Sequence, residues 1–371
     1  MKIVFAAGGT GGHINPALAA AGEIRDNFPD AEILFIGTKD KMESRLVPKA
    51  DFDFRTITIS GFQRKLSITN IFKNIATLWR LAFSGMAVRK ILRDFKPDVV
   101  VGFGGYVSGP VVRTAAKMGI KTAIHEQNAF PGVTNKLLSK TVDAVMLAVP
   151  EAEKYLECKN PPVVTGLPVR SEILRADRDF ARAELGLDDK PVIFSCGGSL
   201  GAKTVNEAMV GLIASLYKEN NCHFIHGYGQ YGKWFPDALR EKGVDVDNAK
   251  NIDTREYIYD MDKCLAAADI IISRSGASTL SEIEAVGKAS ILIPSPNVAE
   301  NHQYHNAMTL VNADAARIIE EKDLTDEKLL ETVRELLADK TLRDTMGENA
   351  RNLAVLDSQE QIAGIIISLV G

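Results

Sequence analysis

A histidine, His13, closes the turn Gly8-Gly9-Thr10-Gly11-Gly12, which itself follows the apolar run IVFAA. An imidazole beside a turn able to nest a phosphate suits a general base or a phosphate ligand. A helix cap is the other reading of His13. Two further strings repeat the pattern of apolar segment, glycine turn and helical segment: DVVVGFGGYVSGP (98–110) and PVIFSCGGSLGAKT (191–204). Glycine lets the backbone turn tightly and approach a ligand. The first amides of the next helix then point at an anion, where the helix dipole favours negative charge. Three such turns imply several phosphate groups, or one diphosphate gripped from two sides.

Other residues could join them. His125-Glu126-Gln127-Asn128 follows the strand-like KTAI. Four polar side chains there suit sugar hydroxyls or an amide, or simply form a polar turn. Arg170, after Gly166-Leu167-Pro168-Val169, is a phosphate partner or a surface charge. In Arg274-Ser275-Gly276-Ala277-Ser278-Thr279-Leu280-Ser281-Glu282 the helix start could carry phosphate and Glu282 could accept from two ribose hydroxyls. Thr279-x-x-Glu282 reads equally as a capping box. Gln303, in Glu300-Asn301-His302-Gln303, reaches a sugar hydroxyl or faces solvent.

Three rival motifs fail on particular residues. The dinucleotide fingerprint GxGxxG, started at Gly9, meets Ile14 at its third glycine, and Gly37 stands where the ribose-binding acid belongs. A P-loop in GGSLGAKT has Ala202 for its second glycine, and Asp269 begins its strand instead of ending it. The pairs Asp51/Asp53, Asp245/Asp247 and Asp260/Asp262 follow no clear apolar strand and read as solvated surface. His302 and His305 share a helix face without an evident carboxylate or thiolate partner, so no metal is expected.

The elements that must position these groups alternate. Strands are expected at 2–7, 31–36, 98–102, 121–125, 143–147, 191–196, 222–227, 269–273 and 289–294, with helices between most of them, the first opened by Pro16. This is βαβ grammar, with parallel sheets and ligands at the strands' carboxyl ends. A chain of 371 residues exceeds one ordinary core. NPPVVTGLPVR (160–170) is the best boundary, giving residues 1–165 and 166–344, with the helical tail 345–371 expected to return to the first domain. The net charge of -4 gives no general basic surface for nucleic acid. The four separated cysteines read as reduced thiols. There is no signal-peptide pattern and no apolar run near the ~20 residues of a membrane span. Residues 65–93 mix Ile71, Ile75, Leu78, Leu81 and Phe83 with Lys65, Lys73, Arg80, Arg89, Lys90 and Arg93: a helix packed on the sheet, or a face for an anionic membrane.

Taken in order, GGTGGHINPALA (8–19), GFGGYVSGP (102–110), HEQNAFPG (125–132), GLPVR (166–170), GGSLGA (197–202), RSGASTLSE (274–282) and NHQYHNA (301–307) resemble one family closely. It is the bacterial N-acetylglucosaminyltransferases of peptidoglycan synthesis, which convert lipid I to lipid II. The resemblance implies a GT-B fold, two Rossmann-like doubly wound domains facing across a cleft. It implies UDP-GlcNAc as donor, UDP as product, an undecaprenyl-diphosphate-linked acceptor, no cofactor, and work at the cytoplasmic face of the membrane in support of cell shape and division. Other cell-wall synthesis proteins are implied partners. By that resemblance Ser199 and Arg170 contact the nucleotide diphosphate, Ile258 the uracil, and Ala277, Ser278, Thr279, Leu280, Ser281 and Glu282 the nucleotide, with Glu282 on the ribose. Gln303 and Asn128 contact the donor sugar, and Thr10, Gly11 and Gly12 face the donor. Gly104, Gly105 and Tyr106 help form the acceptor-diphosphate site, and His13 is the base. His302 stands where some members carry glutamine. The alternatives are a UDP-GlcNAc 2-epimerase of the same fold and a non-catalytic UDP-sugar scaffold.

Overall fold

The computed structural model describes residues 1–59 and 85–371. The apolar and basic residues singled out at 65, 71, 73, 75, 78, 80, 81 and 83 lie outside them. Two compact units emerge: Met1–Pro168 with Asp357–Gly371, and Val169–Leu356.

The first unit is built on a parallel sheet ordered β3-β2-β1-β4-β5-β6-β7. Its strands are β1 (Lys2–Ala6), β2 (Glu32–Gly37), β3 (Asp53–Thr56), β4 (Val99–Gly102), β5 (Lys121–Glu126), β6 (Ala144–Leu147) and β7 (Val163–Val164). Along β1, Ile3 and Phe5 enter one apolar cluster and Val4 and Ala6 enter another. Both faces of the sheet are therefore covered, which is why its central strands read as continuous apolar runs instead of alternating ones. Phe5 stacks on Phe35 with ring centroids 5.1 Å apart. Helix Ser358–Ser368 returns to this unit and packs Ile362, Ala363 and Ile366 into the cluster that also holds Ile14, Ala17 and Ala21 of helix Gly11–Asn27.

The second unit repeats the plan with the order β10-β9-β8-β11-β12-β13. Its strands are β8 (Val192–Cys196), β9 (His223–Gly227), β10 (Ile252–Arg255), β11 (Ile270–Ser273), β12 (Ala289–Leu292) and β13 (Ala316–Ile318). Helix Lys340–Leu353 belongs here, although its second half was grouped with the tail in the sequence. It buries Met346, Gly347 and Ala350, and a Cβ on Gly347 would come 2.5 Å from the Gly287 carbonyl oxygen, so the helix fits closely on its own unit.

In each sheet the strand order reverses once. The reversal lies between β1 and β4 in the first unit and between β8 and β11 in the second. Beyond the carboxyl ends of such a pair the connections diverge and leave a crevice for ligands. The four strands β1, β4, β8 and β11 are the ones that feed the three glycine turns and the Arg274 segment.

Candidate active site

At the β8/β11 reversal lies a cavity of about 620 Å³, within the roughly 300–1,000 Å³ usual for small-molecule sites. The turn Gly197–Ala202 and the start of helix Lys203–Leu216 form one wall. Gly276, Thr279 and Glu282, from the loop and helix Ala277–Val286, form another. Ser199, Ile258 and Gln303 also line it. Five of the expected donor residues thus share one cavity: Ser199, Ile258, Thr279, Glu282 and Gln303. Gln303 is braced, its Oε1 accepting from Ser295 N at 2.8 Å.

Helix Ala277–Val286 begins after Gly276, so Thr279 and Glu282 lie inside it and form no capping box. Leu280 packs into the unit's core, because the helix turns that face to the sheet. Glu282 instead meets Arg170, whose Nη2 and Nε donate to its Oε1 at 3.0 and 3.3 Å. Burial raises the Glu282 carboxyl above its ordinary range, against the pull of Arg170. The two residues expected on ribose and diphosphate therefore form a pair, and Arg170 engages one oxygen of the two.

Sequence reasoning passed over Arg274 as a site residue. It lines the cavity, donates to the Ile293 and Pro294 carbonyls at 3.1 and 3.2 Å and to Thr204 Oγ1 at 3.2 Å, and pairs with Glu321. It clamps the helix start to the facing loop. Lys203, Glu256 and Tyr257 line the cavity too. The paired aspartates are otherwise engaged: Asp260 pairs with Arg255, and Asp247 with Arg240. Half-buried His302 points Nδ1 at the Ala299 carbonyl, 2.9 Å away.

At the β1/β4 reversal the first two glycine turns are pressed together. Helix Gly11–Asn27 starts five residues before Pro16 was expected to open it, so Pro16 lies within the helix and His13 on its first turn. Thr10 occupies the N-cap position, and His13 does not. The His13 Nδ1 lies 3.2 Å from the Gly8 carbonyl and 3.3 Å from Thr10 Oγ1. A carbonyl only accepts, so Nδ1 carries the proton and Nε2 the basic lone pair. The ring lies over Gly104, where a Cβ would come 2.7 Å from Cδ2. A Cβ on Gly105 would come 2.1 Å from the Gly8 oxygen, and both glycines have positive φ, +93° and +76°. Only glycine permits this approach. Helix Gly105–Lys117 begins there, with Tyr106 exposed at its first turn.

A second residue missed in the sequence is Glu43. It is 1% exposed, and its carboxylate accepts from Gly9 N at 3.0 Å, Thr38 N at 3.0 Å and Thr38 Oγ1 at 2.6 Å. Burial raises its carboxyl, but these donors outweigh burial and hold it below its ordinary range. It props the first turn from beneath. Its position inside the polar string TKDKMESR hid it.

The segment His125–Asn128 is mostly scaffold. His125 is fully buried and bonds the Gly166 carbonyl through Nε2 at 2.9 Å, and burial lowers its pKa to about 4. Glu126, buried, accepts from Asn128 N, Gly132 N and Asn135 Nδ2. Gln127, buried, donates to the Phe103 carbonyl. These three serve the fold's interior instead of a sugar. Asn128 is half-buried and donates its side-chain amide to Glu126.

Two doubly wound parallel-sheet units, each with glycine turns at its reversal point, make up the GT-B fold. The chain belongs to glycosyltransferase family 28: residues 3–147 match the family's N-terminal domain and 192–362 its C-terminal domain. Over 370 residues it is 45% identical to the UDP-N-acetylglucosamine–N-acetylmuramyl-(pentapeptide) pyrophosphoryl-undecaprenol N-acetylglucosamine transferase of Thermoanaerobacter sp. (strain X514), covering 100% of both chains. The crystal structure of Acinetobacter baumannii MurG superposes with a TM-score of 0.81 at 29% identity, covering 99% of each chain. A UDP-GlcNAc 2-epimerase from Neisseria meningitidis bound to UDP-GlcNAc reaches a TM-score of 0.67 at 13% identity over 99% of this chain and 100% of its own, a likeness of fold alone.

Proposed function

We propose that this chain is the inverting glycosyltransferase that moves N-acetylglucosamine from UDP-GlcNAc to the C4 hydroxyl of the N-acetylmuramyl sugar of lipid I, forming lipid II. The observation that carries this reading is the end-to-end 45% identity with an enzyme of that name. The cavity at the β8/β11 reversal is the donor site. The amides at the starts of helices Lys203–Leu216 and Ala277–Val286 face the UDP diphosphate and stabilise its charge as it leaves, with Arg170 beside them. Glu282 keeps Oε1 on Arg170 and offers Oε2 to the ribose. Ile258 meets the uracil, and Ser199 the diphosphate. Residues Ala277, Ser278 and Ser281 border the nucleotide from their helix, and Gln303 and Asn128 serve the donor sugar.

His13 Nε2 takes the proton from the acceptor hydroxyl. Attack from the face opposite UDP inverts the anomeric carbon and gives a β1→4 link from an α-linked donor. The joined turns Thr10–Gly12 and Gly104–Tyr106 cradle the acceptor diphosphate at two helix starts.

Among the described residues no helix is long and apolar enough to cross a membrane. The enzyme works as a peripheral protein on the cytoplasmic face, drawn by basic residues that include exposed Arg89, Lys90 and Arg93. Equal binding to anionic and neutral vesicles by the wild type and by a Lys73/Arg80/Arg89 charge-removed variant would defeat that attraction.

The deciding experiment measures UDP release from UDP-GlcNAc with and without a lipid I analogue. Acceptor-dependent release with a disaccharide product is the expected result. Donor binding without such release would return weight to an epimerase or a scaffold, and an N-acetylmannosamine product would distinguish the two.

A further inference from the structure

A recess of about 440 Å³ lies against the first glycine turn, lined by Gly9, Asp40, Lys41, Met42, Ser44 and Arg45. The mechanism above does not use it. Lys41 and Arg45 are exposed, and neither side chain has an ion pair or hydrogen bond among the described residues. Asp40 lines the recess too, without an ion pair to either cation among the described residues, so the lining holds two positive charges against one negative; the buried acid Glu43 has its oxygens committed to Gly9 and Thr38. Glu43 also fixes the recess to the turn, because the segment that carries Lys41 and Arg45 is bonded through it to Gly9. Two unpaired cations on a rigid mount hold a binding place for an oxyanion.

The topology indicates which oxyanion. β2 flanks β1 on one side and β4 on the other. The recess follows β2, whereas Gly104–Tyr106, the outer of the two turns assigned to the acceptor diphosphate, follows β4. The two lie on opposite sides of the turn that ends in His13. Met42 closes to 4.0 Å from where a Cβ on Gly11 would stand, so the recess borders the turn two residues before His13. In a muramyl sugar the diphosphate is on C1, across the ring from the reacting C4 hydroxyl. The peptide hangs from the lactyl group on C3, next to C4. With C4 at His13 and the diphosphate on the β4 side, the peptide leaves beside the reacting carbon, toward β2.

We propose that this recess takes carboxylates of the acceptor's peptide, with Lys41 and Arg45 as their partners. The proposal rests on the transferase reading. The test is steady-state transfer by the Lys41→Gln/Arg45→Gln double variant to two lipid-diphosphate acceptors, one with the pentapeptide and one ending in an uncharged lactyl amide. The expected result is a rise of about tenfold in KM for the pentapeptide acceptor, with kcat, donor KM and the peptide-free acceptor unchanged. Amidating the peptide carboxylates should reproduce that rise in the wild type. An equal loss on both acceptors would assign the cations to the diphosphate and overturn the proposal, as would no change on either. A wild type inactive on every acceptor would instead overturn the transferase reading beneath it.

Discussion

The side chains that could do chemistry were legible where they end a strand and belong to a glycine turn. His13 stood out because an imidazole closes GGTGGH, with a helix cap as the other reading, and the structure puts Thr10 at the N-cap instead. Its tautomer was not readable, since that depends on a carbonyl folded back from Gly8. Arg170 and Glu282 are 112 positions apart, and no local pattern announces their pairing. His125–Gln127 misled because polar side chains in a row look solvent-facing, yet the fold buries them with internal partners. Two predictions belong here. His13→Ala is expected to lower kcat by about 10²–10⁴-fold with little change in donor KM. Turnover largely kept, with an unaltered pH profile, would remove His13 as the base. Glu282→Gln keeps the shape but weakens the charge-assisted bonds to ribose and Arg170, so donor KM should rise about tenfold while acceptor KM holds. Isothermal titration with UDP, unchanged from wild type, would contradict that role.

The nine strands expected from the sequence are all present, and the four that were missed are β3, β7, β10 and β13, the two edges of each sheet. The reason is physical. An interior strand is covered on both faces and is mostly apolar, as in VVVG and IIIS. An edge strand has one neighbour and tolerates polar residues, as in DFRT and IDTR. β7 is two exposed valines behind a pair of prolines, a string that reads as a linker. The closing helix is an element whose docking surface the sequence left open. Ile366 is fully buried against the first unit, so Ile366→Ala should cost about 2–5 kcal/mol in urea unfolding followed by circular dichroism. A cost below 1 kcal/mol would mean that the helix does not dock as described. At the turn, Gly105→Ala would drive a methyl into the Gly8 carbonyl and should abolish transfer while leaving UDP binding by the other unit intact.

At the scale of the molecule, each sheet contains one fully buried neutral histidine. Burial lowers His125 to about 4 and His226 to about 3, from an ordinary 6.5. Because the folded pKa values lie below the unfolded one, the unfolded chain takes up these protons first as pH falls through 6.5. Stability is intact above that point and is lost progressively toward pH 4. At pH 5 each histidine should have cost about 2 kcal/mol. Burial raises Glu126 and Glu282, which act in the opposite direction, so the clean comparison is His226→Asn against wild type. The variant should lose less stability between pH 7 and pH 5, and parallel curves would refute the assignment. The domain plan was visible in the sequence as a coarse duplication, and so was the return of the tail to the first unit; its start at residue 357 and its docking on helix Gly11–Asn27 were not, because that partner helix is more than 300 residues upstream. That return orders the birth of the protein. A ribosome must translate the whole second unit before it delivers Ser358–Ser368, so the first unit emerges early with the Ile14–Ala21 flank of its opening helix still uncovered. For the time it takes to make those intervening residues, the nascent chain offers a greasy groove to any chaperone or membrane surface nearby, and this groove closes only when the tail arrives.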